Sequence, residues 1–226
     1  MEQIGLVADT RALHKEVQTA FAGSPNGGLR AEAERQLGPI GTRLNLVGKP
    51  LAIEGRLSDG QPLDWNRYKG KVVIVDFWTS WGREAEQEQV NQAKARMAPA
   101  PSDKASPSTE VLSTLDRLRR LYEKHHGEGL EIIGVNLEKV PTDIQRFLSA
   151  EKPPWPNVTN LPGSARGTVE PNAARCGVEA PPMSVLIDRF GRVMKVGVLN
   201  ERFEKRVGDA LRQRLPPAVS VGEKTK

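Results

Sequence analysis

The chain has 226 residues, 38% hydrophobic and 27% charged, and its 33 Lys and Arg against 28 Asp and Glu give a net charge of +5. That length carries one full core with room for an appendage. The basic residues are interleaved with acids, as in Asp116-Arg117 and Glu204-Lys205-Arg206, which marks a solvated surface and no nucleic-acid patch.

Aromatics are 5% of the residues, too few for a platform that stacks single strands. No apolar run approaches the ~20 residues of a membrane span. The first residues, Met1-Glu2-Gln3-Ile4, lack the order of a signal peptide. Two readings fit this start: a cytoplasmic protein, or a piece of a longer protein exported to the periplasm or cell envelope.

Residues 9–21 place Leu13, Val17 and Phe21 at four-residue spacing behind a capping Asp9 or Thr10, which predicts an amphipathic helix. Ser24-Pro25-Asn26-Gly27-Gly28 ends it. Leu29, Ala33, Leu37, Ile40 and Leu44 line one face of a second helix, which Gly38-Pro39 is expected to kink or split. Residues 1–46 thus read as a helical appendage. His14 falls on the polar side of the first helix.

Val47-Gly48-Lys49-Pro50 is the junction to a main domain expected to run from 47 to 215. Strand-like residues flank Asp59-Gly60, a strong turn dipeptide, and predict a β-hairpin over 51–65. Val72-Val73-Ile74-Val75-Asp76 is too short for a helix and too apolar for an exposed edge, so it reads as a buried central strand. It ends in Phe77, Trp78 and Trp81 and feeds a polar helical run over 83–97. A strand that ends in a turn and enters a helix is where α/β folds build sites.

Residues 98–108, rich in Pro, Ser and Ala, predict an extended or disordered insertion. Ser108 or Thr109 is expected to cap the next helix, whose stripe is Val111, Leu112, Leu115, Leu118 and Leu121. A strand over 130–135, a helix opened by Pro141 and an extended piece over 155–158 follow. A strand over 183–188, a turn at 189–192, a strand over 193–198, an amphipathic helix over 201–215 and a solvated tail over 216–226 complete the chain. These crossovers predict an α/β fold: a mixed sheet of four or five strands with helices on both faces.

The ordered run Gly48-Lys49-Pro50, Asp59-Gly60, Tyr68, Gly70-Lys71, Asp76-Phe77-Trp78, Trp81 and Pro182 resembles the TlpA/ResA-like branch of thioredoxin-fold thiol–disulfide oxidoreductases and the neighbouring redoxins. The resemblance covers roughly 47–214. It implies a thioredoxin-like sheet, Pro182 as the cis-proline, and a Trp-Cys-x-x-Cys segment whose cysteines fall at 82 and 85. This chain has Gly82 and Ala85 there.

Disulfide exchange needs an attacking thiolate and a resolving thiol. Gly82 and Ala85 supply neither, and Ser80, the nearest hydroxyl, has no adjacent histidine to activate it. The resemblance makes Asp76 the buried aspartate that serves the inner thiol and Glu88 an acid that supports it. Without the thiol, Asp76 is expected to keep a hydrogen bond or a water, or to be held partly protonated by burial. Glu84 and Glu86 are read as complements to the helix dipole. Val90 replaces a proline that commonly kinks this helix.

Cys176 is expected to pack as a small hydrophobe. The three histidines are too few for a zinc site without cysteine partners, and Gly163 and Gly167 precede no phosphate-loop lysine. No cofactor and no metal is expected. What the resemblance leaves is a groove for an extended peptide, lined by Trp78, Trp81, Ala180, Pro181, Pro182 and Met183, with core packing as the other reading of each tryptophan. The expectation is a redox-inactive binding or structural module. The alternative is a thiol–disulfide oxidoreductase acting through Cys176 or a partner's thiols.

Overall fold

The computed structural model describes residues 2–97, 111–138, 141–159 and 170–214. The expected insertion at 98–108, its capping residues, Gly163, Gly167 and the tail at 216–226 lie outside the described residues. A six-stranded mixed sheet organises the chain, in the order β1-β4-β3-β2-β5-β6. β2 (Val72–Trp78) lies inside it, parallel to β3 (Leu130–Asn136) and antiparallel to β5 (Met183–Ile187). All seven residues of β2 are buried.

Strand alternation divides the core between the two faces of the sheet. Val73, Val75 and Phe77 point to one face with Ile133 and Val135, where Ile53, Ala173, Cys176 and Val178 cover them. Val72 and Ile74 point to the other with Leu130 and Ile132. There α4 (Thr114–His125) contributes Leu118 and Leu121, and α7 (Glu201–Leu211) contributes Phe203, Val207 and Ala210. Each of the valine, leucine, isoleucine and phenylalanine side chains fully buried there contributes roughly 1.5–3 kcal/mol.

The extra strands beyond the expected four or five are short. β1 (Arg56–Leu57) pairs antiparallel with β4 (Asn157–Thr159), and β4 extends β3 in parallel. The hairpin expected over 51–65 is minimal. Gly60, at φ +85°, closes the turn, but only the Arg56–Pro62 bridge joins its arms, and Trp65–Tyr68 winds into a 3-10 helix. β6 (Val193–Gly197) pairs with β5 at the other edge.

Two helices precede the sheet, α1 (Glu2–Ala22) and α2 (Gly27–Leu46). α2 runs through Pro39 as one helix, so of the expected kink or split the split does not occur. The Thr42 hydroxyl donates to the Gly38 carbonyl at 3.2 Å, and α1 supports the same turn. The inner face of α1 is also not the expected one. Arg11, His14 and Val17 are partly buried, whereas Leu13 and Phe21 are exposed. His14 lies at the contact between the helices, its Nε2 2.8 Å from the Leu37 carbonyl. It fits because Gly41 has no side chain: a Cβ there would stand 2.7 Å from the His14 ring. Arg11 donates to the carbonyls of Leu44 and Val47, at 2.9 and 2.8 Å, and closes the end of α2. These polar contacts replace the apolar stripe that the spacing predicts.

Candidate functional site

The site region begins where β2 ends. α3 (Ser80–Met97) starts three residues earlier than its polar run implies, because Thr79 acts as its N-cap. The Thr79 hydroxyl accepts from Gly82 N at 3.1 Å, and its carbonyl accepts from Arg83 N at 3.1 Å, satisfying donors that a helix start leaves open. Gly82 therefore lies in the first helical turn and faces the loop before β5. A Cβ at Gly82 would stand 3.7 Å from Pro181 Cγ and 2.7 Å from the Thr79 hydroxyl. That hydroxyl fills the space into which a side chain at 82 would grow.

The early start sets which residues α3 turns inward. Arg83, Glu86 and Val90 follow the 3.6-residue period toward the protein, while Ala85 and Glu88 face solvent. Ala85 thus does not lie beneath Gly82, as the resemblance implies for the second cysteine. Glu88 is equally remote from any buried chemistry and accepts from Gln92 at 2.9 Å.

Arg83 makes the decisive contact. Its guanidinium forms a buried ion pair and hydrogen bond with Asp76, and the Ser184 hydroxyl donates to the other carboxylate oxygen at 3.3 Å. Burial pushes the Asp76 carboxyl above its ordinary value, against the opposing pull of the Arg83 charge and its hydrogen bond. The expected hydrogen bond is present, from Ser184, and burial raises the pKa in the expected direction; the ion pair with Arg83 is the addition that the sequence reading lacked. The residue legible as unusual was Arg83 itself. A cation in a first helical turn opposes the helix dipole, so it needs a local anion.

Glu84 and Glu86 lie past the first turn and do not serve the dipole of α3. Glu86 accepts from the backbone N and hydroxyl of Thr114, at 2.9 and 2.6 Å, at the start of α4, and also approaches Arg83 at 3.5 Å. Glu84 lies 3.9 Å from Arg146 on α5 (Pro141–Glu151). Ser80, also buried, donates to Glu138 at 2.5 Å, and Asn136 holds Glu138 through bonds of 3.1 and 2.8 Å. The hydroxyl is thus occupied in tying α3 to the end of β3. Position and sequence gave no hint of Glu138.

The two tryptophans separate. Trp78 is buried, donates from Nε1 to Asn157 at 3.1 Å, and packs its ring 4.7 Å from Phe147, so it does not line a groove. Trp81 is 60% exposed at the head of α3. In the loop that leads into β5, Ala180 is exposed, Pro181, Pro182 and Met183 are half-buried, and the Pro181–Pro182 peptide is cis. Gly82, next to Trp81 in the chain, approaches this loop at Pro181. Cys176 does not reach it. It ends α6 (Pro171–Cys176) inside the core, fully buried, and burial pushes its thiol up to about 12. Among the described residues no cluster of His, Cys, Asp and Glu could hold a metal ion. No helix there is long and apolar enough to cross a membrane.

No family model matches the chain. The thiol–disulfide oxidoreductases ResA of Bacillus thuringiensis subsp. konkukian and ResA of Bacillus cereus are each 22% identical to it over 137 residues, 61% of this chain. The chain spans about 60% of the length of these curated relatives. Among solved structures, the thioredoxin domain of a thiol-disulfide oxidoreductase from Bacteroides vulgatus superposes with a TM-score of 0.52 at 18% identity, covering 72% of this chain and 96% of that one. A thiol-disulfide oxidoreductase from Bacteroides fragilis gives 0.51 at 14% identity, covering 71% and 98%. These superpositions show a shared fold. The chain is a distant ResA homologue and shares the thioredoxin-like fold of these thiol–disulfide oxidoreductases.

Proposed function

We propose that this protein is a redox-inactive member of its family that binds an extended peptide across the surface shared by Trp81, Gly82 and the Ala180–Met183 loop. The observation that carries the reading is the filling of the redox position. Gly82 has no side chain, the Thr79 hydroxyl occupies the adjoining space, and Arg83 takes the inward place above Asp76. A large aromatic that stays 60% exposed beside a proline loop supports a binding role, because an indole in water gains most from a partner that covers it. Strand-like pairing of a peptide with the loop backbone would supply the directional part of recognition.

The rival reading, thiol–disulfide exchange as in the relatives, would have to use Cys176 or thiols of a partner. A thiol buried in the core and protonated until about pH 12 is a poor nucleophile. The test of the binding reading is a peptide-library selection against the immobilised protein, followed by titration of the selected peptides against the native chain and Trp81→Ala. Saturable binding that weakens at least tenfold in Trp81→Ala is the expected result. Peptides that bind both proteins equally would place recognition elsewhere.

A further inference from the structure

Apolar side chains left in water concentrate on the α1–α2 hairpin. Among the described residues seven large apolar side chains are exposed, and four of them, Leu13, Phe21, Leu29 and Ile40, stand on these two helices. The polar seam is the reason. His14 reaches the Leu37 carbonyl beside Gly41, and Arg11 reaches the carbonyls of Leu44 and Val47, so joining the helices consumes little of their apolar stripes. Of residues 8–46, only Gly41 is buried. Helices draw most of their stability from packing an apolar face, and this pair has left one uncovered.

The exposed side chains share one side of the hairpin. Leu13 directly precedes His14 and Ile40 directly precedes Gly41, so each lies one helical step of about 100° from the seam, turned in the same sense. The helices run antiparallel, and equal turns in one sense then bring both residues to the same side. Val17 follows Leu13 by one turn, and Ala33 and Leu29 precede Ile40 by two and three turns. The residues between them on that side, Thr10, Ala20 and Gln36, carry no charge. A centre depleted of charge is the compositional mark of a protein interface.

Area and symmetry choose the occupant. Helices of 21 and 20 residues span about 30 Å, and two side by side are about 20 Å wide. Each chain thus offers a footprint of roughly 600 Å², and two such faces reach the lower bound of a stable dimer contact. The face also matches itself. A two-fold axis parallel to the helices sets α1 over α2 of the second copy, so every neighbouring pair in the resulting four-helix bundle is antiparallel. α2 meets the sheet domain through Pro39, Thr42 and Arg43, on the side away from the seam, so this axis places the two sheet domains on opposite flanks without collision. We propose that the hairpin face is a dimer contact, covered by the same face of a second copy of this chain, with Leu13 against Ile40 of the partner subunit. The proposal is independent of the peptide role assigned to the Trp81 surface.

Sedimentation equilibrium of the full chain tests it. The expected mass is that of two chains, dissociating in the micromolar range or below. Leu13→Glu and Ile40→Lys each set a charge in the middle of the contact and should weaken the dimer roughly tenfold or more. Mixing the two variants opposes the new charges and should restore a heterodimer. Both positions are exposed in the single chain, so neither change costs the monomer its fold; tryptophan fluorescence checks this, because all four tryptophans lie in the sheet domain. A monomer up to the solubility limit, a dimer that both variants form as well as the native chain, or a mixture no stronger than either variant alone would overturn the proposal.

Discussion

Arg83 and Asp76 form the costliest contact in the site region, since both are withdrawn from water where an unpaired charge is poorly tolerated. Arg83→Met should therefore destabilise the fold by about 3–5 kcal/mol in urea unfolding at pH 8. Replacing both partners by apolar residues, as in Asp76→Leu with Arg83→Met, should recover most of the loss. The pH dependence follows from the carboxyl. Its folded pKa lies above the ordinary 3.8 because of burial, so the stability it contributes is present below the unfolded value and is lost as pH rises through the folded one. Removing Arg83 raises the folded pKa further. The penalty of Arg83→Met should accordingly shrink as pH falls from 8 toward 4, and a penalty independent of pH would show that Asp76 does not titrate with folding. A second contact at this scale is Gly134, where a Cβ would collide with the Asn157 amide and the Trp78 ring nitrogen. Gly134→Ala should cost at least about 2 kcal/mol through overpacking, measured as a lowered urea midpoint.

At the scale of elements, the first turn of α3 decides what chemistry is open to the site. Gly82→Cys with Ala85→Cys returns both sulfurs, but the new Cβ at 82 meets the Thr79 hydroxyl at 2.7 Å and must displace the cap. The triple variant with Thr79→Ala makes room and gives up a cap worth about 0.5–2 kcal/mol. It is expected to reduce insulin disulfides faster than the double variant; a folded but inert triple variant would show that the strand, tryptophan and proline frame no longer supports the reaction. The appendage offers a second test. Gly177 ends α6 at φ +63°, and a Cβ there would stand 2.5 Å from the Pro39 carbonyl of α2, beside the Arg43–Gly177 hydrogen bond of 2.5 Å. Gly177→Ala should loosen that seam and speed amide exchange in α1 and α2 while leaving β2 and β3 protected.

β2, β3 and α7 were legible because an unbroken apolar run or a strong amphipathic period fixes both the element and its buried face. The start of α3 was not, because a threonine cap acts through one hydroxyl and leaves no periodic trace. That error moved Ala85 outward and Arg83 inward. The start of α4 was misplaced for the same reason. Ser113 caps it through Asp116 N at 3.2 Å, and Val111 and Leu112 lie before the helix. The inner face of α1 was misread because arginine and histidine bonds to carbonyls, not apolar spacing, join it to α2.

For the whole molecule, the two ends of β2 carry different surfaces on one sheet. The C-terminal end presents Trp81 and the proline loop; the N-terminal end opens into a cleft around Glu131. The single cysteine in the sequence, Cys176, is buried in the core on one face of the sheet. The central claim is that the family's scaffold persists here without its electron-transfer chemistry. Its most direct measure is the turnover of insulin disulfides and glutathione disulfide by the unmodified protein beside its Cys176→Ser variant. The account expects both proteins to match the uncatalysed rate. Turnover above that rate in the unmodified protein, abolished in Cys176→Ser, would contradict it.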